Sequence, residues 1–302
     1  MKKSYLLIAV IFMIAVVAGC VVWFKRATAP LDETAEPLFT AENYPRVDAS
    51  LAIHPLVDAI AANFLGVDES ELTYEYTTGR SSEVYHNLID GKVDVIFAAE
   101  ISDEDRAYAA QQGVELRIIP ATASAFVFIV NAENPVDGLT FEQIQDIYTG
   151  DITNWSQVGG VDAEIIPYQR PTGSGSQTAM LNLVMKDKKI MEPPTKQLQM
   201  EMGELVDAIA DYDNADTAIG YSYFYYVNTM YKRDTIKMLS VDGVEPSVDT
   251  IKSGEYPIFT NGFIVLRADE PADSPALKWV EAVLGKRGST IIENAGYVPV
   301  NG

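Results

Sequence analysis

Short apolar runs alternate with helical hydrophobic patterns along most of this chain, and that alternation restricts its fold more than any other feature. The runs VDVIFA (Val93–Ala98) and FVFIV (Phe126–Val130) are too short for ordinary helices and too apolar for loops, so they read as strands. Thr73–Tyr76, Glu115–Ile119, Ile165–Tyr168, Ala218–Tyr221, Ile236–Leu239 and Gly262–Leu266 read as further extended segments, and Arg46–Val47 leads into a turn. Helical patterns lie between them. One starts near Pro55, where proline suits a first turn. Another is SSEVYHNLI, with Ser81 and Ser82 as candidate caps, and a third is Asp103–Gln112. FEQIQDIY follows Thr140 as its cap, and Met180, Leu181, Val184 and Met185 share one helical face. Ser274–Leu284 and Arg287–Asn294 close the chain as helices. Such alternation predicts an α/β fold with mostly parallel sheets. A chain of 302 residues, nearly half of them apolar, has room for two ordinary domains and shows no internal repeat.

The chain opens with a basic pair, Lys2 and Lys3, then an apolar stretch from Tyr5 to Val17, then Val17-Ala18-Gly19-Cys20. Small residues before a cysteine match the bacterial lipobox, which predicts a signal peptide over 1–19 and a lipid-anchored, extracytoplasmic protein beginning at Cys20. A second reading stands beside it. The apolar run continues to Phe24, near the ~20 residues of a spanning helix, so an uncleaved transmembrane anchor fits too. Residues 20–43, rich in Pro, Thr, Ala and Glu, read as a flexible tether, with the folded body from Tyr44.

Composition removes several function classes. With 43 acidic against 22 basic residues, net charge −21, nucleic acid is not an expected partner. One cysteine allows no intrachain disulfide and no Cys-rich zinc site. Only two histidines, His54 and His86, leave little for a metal cluster or a catalytic triad, and no metal or cofactor is expected. His54 before Pro55 reads as a helix-start residue rather than a ligand. Asp211, Asp213 and Asp216 resemble a calcium loop but lack its glycine and distal glutamate. Tyr221, Tyr223, Tyr225 and Tyr226 read as packing rather than a sugar platform.

Against this acidic background stands RPTGSGSQT, Arg170–Thr178. An expected strand runs into a glycine-bearing turn and then a helix starting near Ser174. Unpaired N–H groups at a helix start, close backbone approach at glycine, the Ser174 and Ser176 hydroxyls and the Arg170 guanidinium together suit a tetrahedral oxyanion. The alternative is that Gly and Ser here only make a turn and a cap. A serine hydrolase using Ser174 or Ser176 is a weaker reading, because both histidines precede the motif, whereas a nucleophile-elbow triad needs one after it.

These segments, with YPRVDAS, NLIDGKVDVIFAAE, DIYTGDITNW, IGYSYFYYV and ENAGYVPV, resemble the phosphate-binding proteins of Pst-type ABC importers, in their lipoprotein branch. The resemblance spans about residues 44–300 and implies a two-lobed periplasmic-binding-protein-like (type II) fold. Two crossing strands, Phe126–Val130 and Gly262–Leu266, would divide residues 44–125 plus 261–302 from 126–260. It implies a monomeric, non-catalytic protein that captures inorganic phosphate and passes it to importer permease subunits. Arg170, Ser174, Gly175 and Ser176 match the family's second-lobe ligands. Ser50 and Ser81 match its first-lobe loops. Leu51 and Ile53 stand where threonine is common, leaving the Leu51 backbone N–H as a donor, and Arg80 is an unexpected added charge. Glu100, after the strand VDVIFA, is the candidate acceptor for the proton of hydrogen phosphate, which sulfate lacks. The altered first loop keeps another oxyanion or a small organic ligand in view.

Overall fold

The computed structural model describes residues 36–73, 80–193, 198–211 and 217–300. The leader, Cys20, most of the expected tether, Tyr74–Tyr76 of one expected strand, and Asp213 and Asp216 lie outside the described residues. The strands are β1 (Val47–Ala49), β2 (Val95–Ala98), β3 (Leu116–Asn131), β4 (Gly138–Leu139), β5 (Ile166–Pro167), β6 (Ala218–Tyr223), β7 (Ile236–Met238), β8 (Ser240–Val241), β9 (Phe259–Arg267) and β10 (Val298–Pro299). The main sheet runs β1-β2-β9-β3-β6-β5, with β7 and β10 also on β3, while β4 and β8 pair separately.

The pairing differs from the expected mostly parallel sheet. Among the described strands, β1–β2, β5–β6 and β4–β8 are parallel. β9 runs against both β2 and β3, and β3 runs against β6, β7 and β10. Strand–helix alternation detects crossovers but not a strand that returns from a distant part of the chain, and β9 is such a strand. The expected strands Glu115–Ile119 and Phe126–Val130 are parts of one strand, β3. Pro120, which has no N–H for a ladder, sits within it beside a register shift between Pro120 and Thr122.

β3 changes partners midway. Leu116–Ala125 lies on β9, and Phe126–Val130 lies on β6. The return passage lies at Ile258, whose carbonyl accepts from the Phe126 N–H at 3.0 Å. Both passages therefore fall at Ala125–Phe126 and Ile258–Phe259, since Phe263–Leu266 is already paired with β2. On one side, Val84, Tyr85, Leu88, Ile96, Ala98, Ile101 and Val265 form a buried cluster. On the other, Phe126 meets Tyr221 at 5.3 Å between ring centroids, within a larger core that includes Phe128, Tyr148 and Trp155.

Helix starts follow the expected chemistry in most places. Thr140 and Gln143 form a capping box on Phe141–Thr149, and Ser274 caps Pro275–Leu284. His54 opens the helix His54–Leu65, with Nε2 2.8 Å from the Ala49 carbonyl oxygen. Ser81 and Ser82 do not cap. The N-cap of Ser81–Ile89 is Arg80, Ser82 donates to Asp105, and Ser81 is turned to Ser50.

Within residues 36–43, assigned to the tether from sequence, Phe39 is buried and the other residues are exposed. Phe39 is 6% exposed and stacks on Phe64 at 6.0 Å, and both the Leu38 and Phe39 N–H groups donate to the Phe64 carbonyl. Arg287 holds the same corner, donating to Asn63 Oδ1 at 2.6 Å, the Asn63 carbonyl at 2.7 Å and the Glu36 carbonyl at 2.9 Å. One aromatic anchor in a polar segment is enough to dock it. A charge-assisted hydrogen bond is worth about 1.5–3 kcal/mol, so Arg287→Ala is expected to speed exchange of the Leu38 and Phe39 amides about tenfold or more. Hydrogen-exchange mass spectrometry reads this directly, and unchanged protection would show that Phe39 alone holds the segment.

Candidate anion-binding site

A cavity of about 80 Å³ lies where the chain passes between the two cores. Its lining brings together Ser50, Leu51, Arg80, Ser81, Arg170, Ser174, Gly175 and Ser176, eight of the nine ligand residues expected from sequence. Glu100 is not among them; its neighbour Ala99 is. β2 ends at Ala98, and the Glu100 carboxylate acts electrostatically on Tyr223 of the lining without lining the cavity itself. The Glu100 carboxyl is half-buried, and burial pushes it up against a hydrogen bond from Asn182.

The motif itself serves both readings offered by the sequence. Ser174 is the N-cap of Gly175–Ala179, accepting from the Gln177 N–H at 3.3 Å and donating to the Pro171 carbonyl at 2.9 Å. Its hydroxyl is therefore committed to the turn. Gly175 and Ser176 occupy the first helical positions, where N–H groups have no intrahelical acceptor. Arg170 is 6% exposed, its Nη2 donates to the Met200 carbonyl at 2.9 Å, and its backbone N–H donates to Tyr221 Oη at 2.9 Å. Burial holds its guanidinium below the ordinary value, with the Glu201 carboxylate acting in the opposite direction.

Three solvent-shielded polar atoms in this lining have no intramolecular partner: Arg170 Nε, Ser176 Oγ and Asn261 Oδ1. Leaving such groups unpaired costs about 1–3 kcal/mol each, and more when charged. A donor, a hydroxyl and an acceptor unpaired in one cavity are the chemistry that a partly protonated oxyanion satisfies. On the facing side, Ser50 Oγ lies 3.0 Å from Ser81 Oγ, and the Ala99 N–H reaches Ser50 Oγ at 3.4 Å.

Several lining residues were missed from sequence. Thr122 and Ser124 come from β3, Asn261 and Gly262 from β9, and Glu201 and Met202 from the start of another helix. Asn261 had a visible signal, a polar residue inside the apolar run FTNGFIVL. Glu201 had none. Its carboxylate bonds Arg80 Nη2 at 3.1 Å, although the two residues are 121 positions apart. The tyrosines divide: Tyr221 is fully buried packing, whereas Tyr223, Tyr225 and Tyr226 line the cavity with Tyr297.

Gly175 sets how closely the two loops approach. A Cβ there would lie 2.5 Å from Ser81 Oγ and 3.0 Å from the Ala99 Cβ. Gly175→Ala is expected to push the loops apart and weaken anion binding about tenfold or more by calorimetry, since hydrogen bonds weaken steeply once stretched. Unchanged affinity would mean that the loops need not meet when the anion is held.

Residues 41–281 match the model of the PBP superfamily domain. The phosphate-binding protein PstS of Bacillus subtilis is 26% identical over 99% of this chain and 95% of its own length. PstS of Borreliella burgdorferi is 24% identical over 86% of this chain and 91% of its own. Among solved structures, a Clostridium perfringens substrate-binding protein crystallised with bound phosphate superposes with TM-score 0.69 at 25% identity, covering 85% of this chain and all of that one. A phosphate transport receptor from Vibrio cholerae gives TM-score 0.62 at 19% identity, covering 83% and 98%. The chain belongs to the PBP superfamily and has its two-lobed periplasmic-binding-protein-like fold.

Proposed function

We propose that this protein captures inorganic phosphate outside the cytoplasm and delivers it to the membrane subunits of an ABC importer. The observation that carries the reading is that Arg170, Ser176 and Asn261, each with a buried polar side-chain atom lacking an intramolecular partner, line one cavity. The phosphate-binding relatives support it. The lobes would be residues 44–125 plus 261–302 and residues 126–260, hinged at the two passages. Closure brings Ser50, Leu51 and Ser81 from one lobe against Arg170, Gly175 and Ser176 from the other. Fixed N–H and O–H dipoles then replace the anion's hydration shell.

Glu201 takes the proton-acceptor role expected of Glu100. It is the carboxylate that lines the cavity, it pairs with Arg80, and its charge acts on Arg170. A carboxylate there accepts one proton of H₂PO₄⁻, whose other proton meets Asn261 Oδ1, and repels SO₄²⁻, which has none. The Arg80–Glu201 pair is largely exposed, worth at most about 1 kcal/mol, and so is easily rearranged by an entering anion.

Catalysis is not part of this reading. Ser174 is committed as a cap, and neither His54 nor His86 lines the cavity; their rings face the Ala49 carbonyl and the Asp105 carboxylate. Among the described residues no helix is long and apolar enough to cross a membrane, so anchoring rests on Cys20 and the leader. A monomer is sufficient, since both sides of the cavity come from one chain.

Isothermal titration of the full-length protein with phosphate and then sulfate tests the reading. Tight binding of phosphate alone is expected, and indifference between the two anions would sink the proton-acceptor account. Glu201→Gln should weaken phosphate about tenfold and narrow the gap to sulfate, following the size of a charge-assisted hydrogen bond. Glu100→Gln should leave the phosphate affinity within about twofold, because Glu100 does not line the cavity and Gln keeps its size. The reverse pattern would return the role to Glu100.

A further inference from the structure

The same cavity carries a second chemistry that an orthophosphate ion does not use. Leu51, Ala52, Ile53 and Met202 line it together with Tyr223, Tyr225, Tyr226 and Tyr297. The tyrosine hydroxyls are mostly engaged within the protein. Tyr223 Oη donates to the Gly175 carbonyl at 2.8 Å, Tyr297 Oη donates to the Ala52 carbonyl at 2.7 Å, and the Tyr225 hydroxyl is hydrogen-bonded to Tyr297. Tyr225 and Tyr297 stack with centroids 3.7 Å apart. This wall offers ring faces and methyl groups rather than hydrogen-bond donors. Apolar surface gains nothing from a dianion's oxygens, which lose hydration without replacement wherever they meet it. It does gain from carbon, by about 25 cal/mol for each Å² removed from water.

Resting on the phosphate reading, we propose that the site also accepts a phosphonate or phosphate monoester in which one oxygen position carries a short carbon substituent. The three remaining oxygens meet Arg170, Gly175, Ser176 and the Ser50–Ser81 pair. The substituent lies against Leu51, Ile53 and the Tyr225–Tyr297 stack. Leu51 and Ile53, which stand where hydroxyl residues are common in the resembling family, are then specificity-determining residues and not losses. The size of the cavity limits the substituent. About 80 Å³ corresponds to roughly six water-sized sites, against four oxygens in orthophosphate, which leaves space for a chain of one or two further atoms.

The test is calorimetric titration of the full-length protein with orthophosphate, methylphosphonate and ethylphosphonate, repeated on Leu51→Thr. Ethylphosphonate is expected to bind within about tenfold of orthophosphate. Leu51→Thr should lower the ethylphosphonate-to-orthophosphate affinity ratio about fourfold or more, the worth of one buried methylene. Orthophosphate binding with no phosphonate binding at a hundredfold higher concentration would overturn this inference and leave the phosphate reading standing. Failure of all three anions, with thermal melting showing the protein folded, would overturn both. Ethylphosphonate binding with an unchanged ratio in Leu51→Thr would also overturn it, since the apolar wall would not be what holds the substituent.

Discussion

The antiparallel pairing of β3 with β9 is the constraint on which the rest of the molecule depends. β3 runs from one core into the other, exchanging β9 for β6 at Phe126, while β9 lies between β3 and β2. The pairing also sets Thr122 opposite Gly262 and Ala123 opposite Asn261, so that Thr122, Ser124, Asn261 and Gly262 line the cavity together. Polar side chains in the middle of an otherwise apolar strand pair would be costly in a sealed core. Here they border a cavity, which is why the sheet tolerates them and why the site forms at this level of the fold.

Electrostatics works locally in this protein. The chain carries net charge −21, yet the anion cradle depends on one buried guanidinium, one helix start and a few hydroxyls. Exposed carboxylates act through salt-screened solvent, with a Debye length of about 8 Å at physiological ionic strength, whereas a hydrogen bond acts at contact. Arg170 keeps its charge although burial opposes it, because the Met200 carbonyl and the nearby Glu201 carboxylate support the guanidinium. Glu201 and Arg80 then form a pair at the cavity wall that an entering anion can rearrange.

Much of this was legible in the sequence. Arg170, Gly175 and Ser176 could be read together because they are contiguous, at a turn and a helix start, and the structure places all three in one cavity lining. Thr140 and Ser274 announced their helices for the same local reason. What the sequence hid was assembled across distance. Nothing near Glu201 signals that it will meet Arg80, and nothing near Tyr297 signals that it will stack on Tyr225. Glu100 does not line the cavity, although its neighbour Ala99, just past the end of β2, does. The alternation of strands and helices also concealed that β3 is one strand through Pro120, because proline there reads as a break until its ladder partner is known. Phe39 and Arg287 hid the docking of residues 36–43 in the same way, as a lone anchor and a distant partner.

The measurement that bears most directly on the account is a crystal structure of the full chain's folded body grown with phosphate. The account predicts tetrahedral density within hydrogen-bond distance of Arg170 Nε, Ser176 Oγ and Asn261 Oδ1, with Gly175 still against Ser81. Phosphate held elsewhere, or held in this cavity with those three atoms still unpaired, would contradict it.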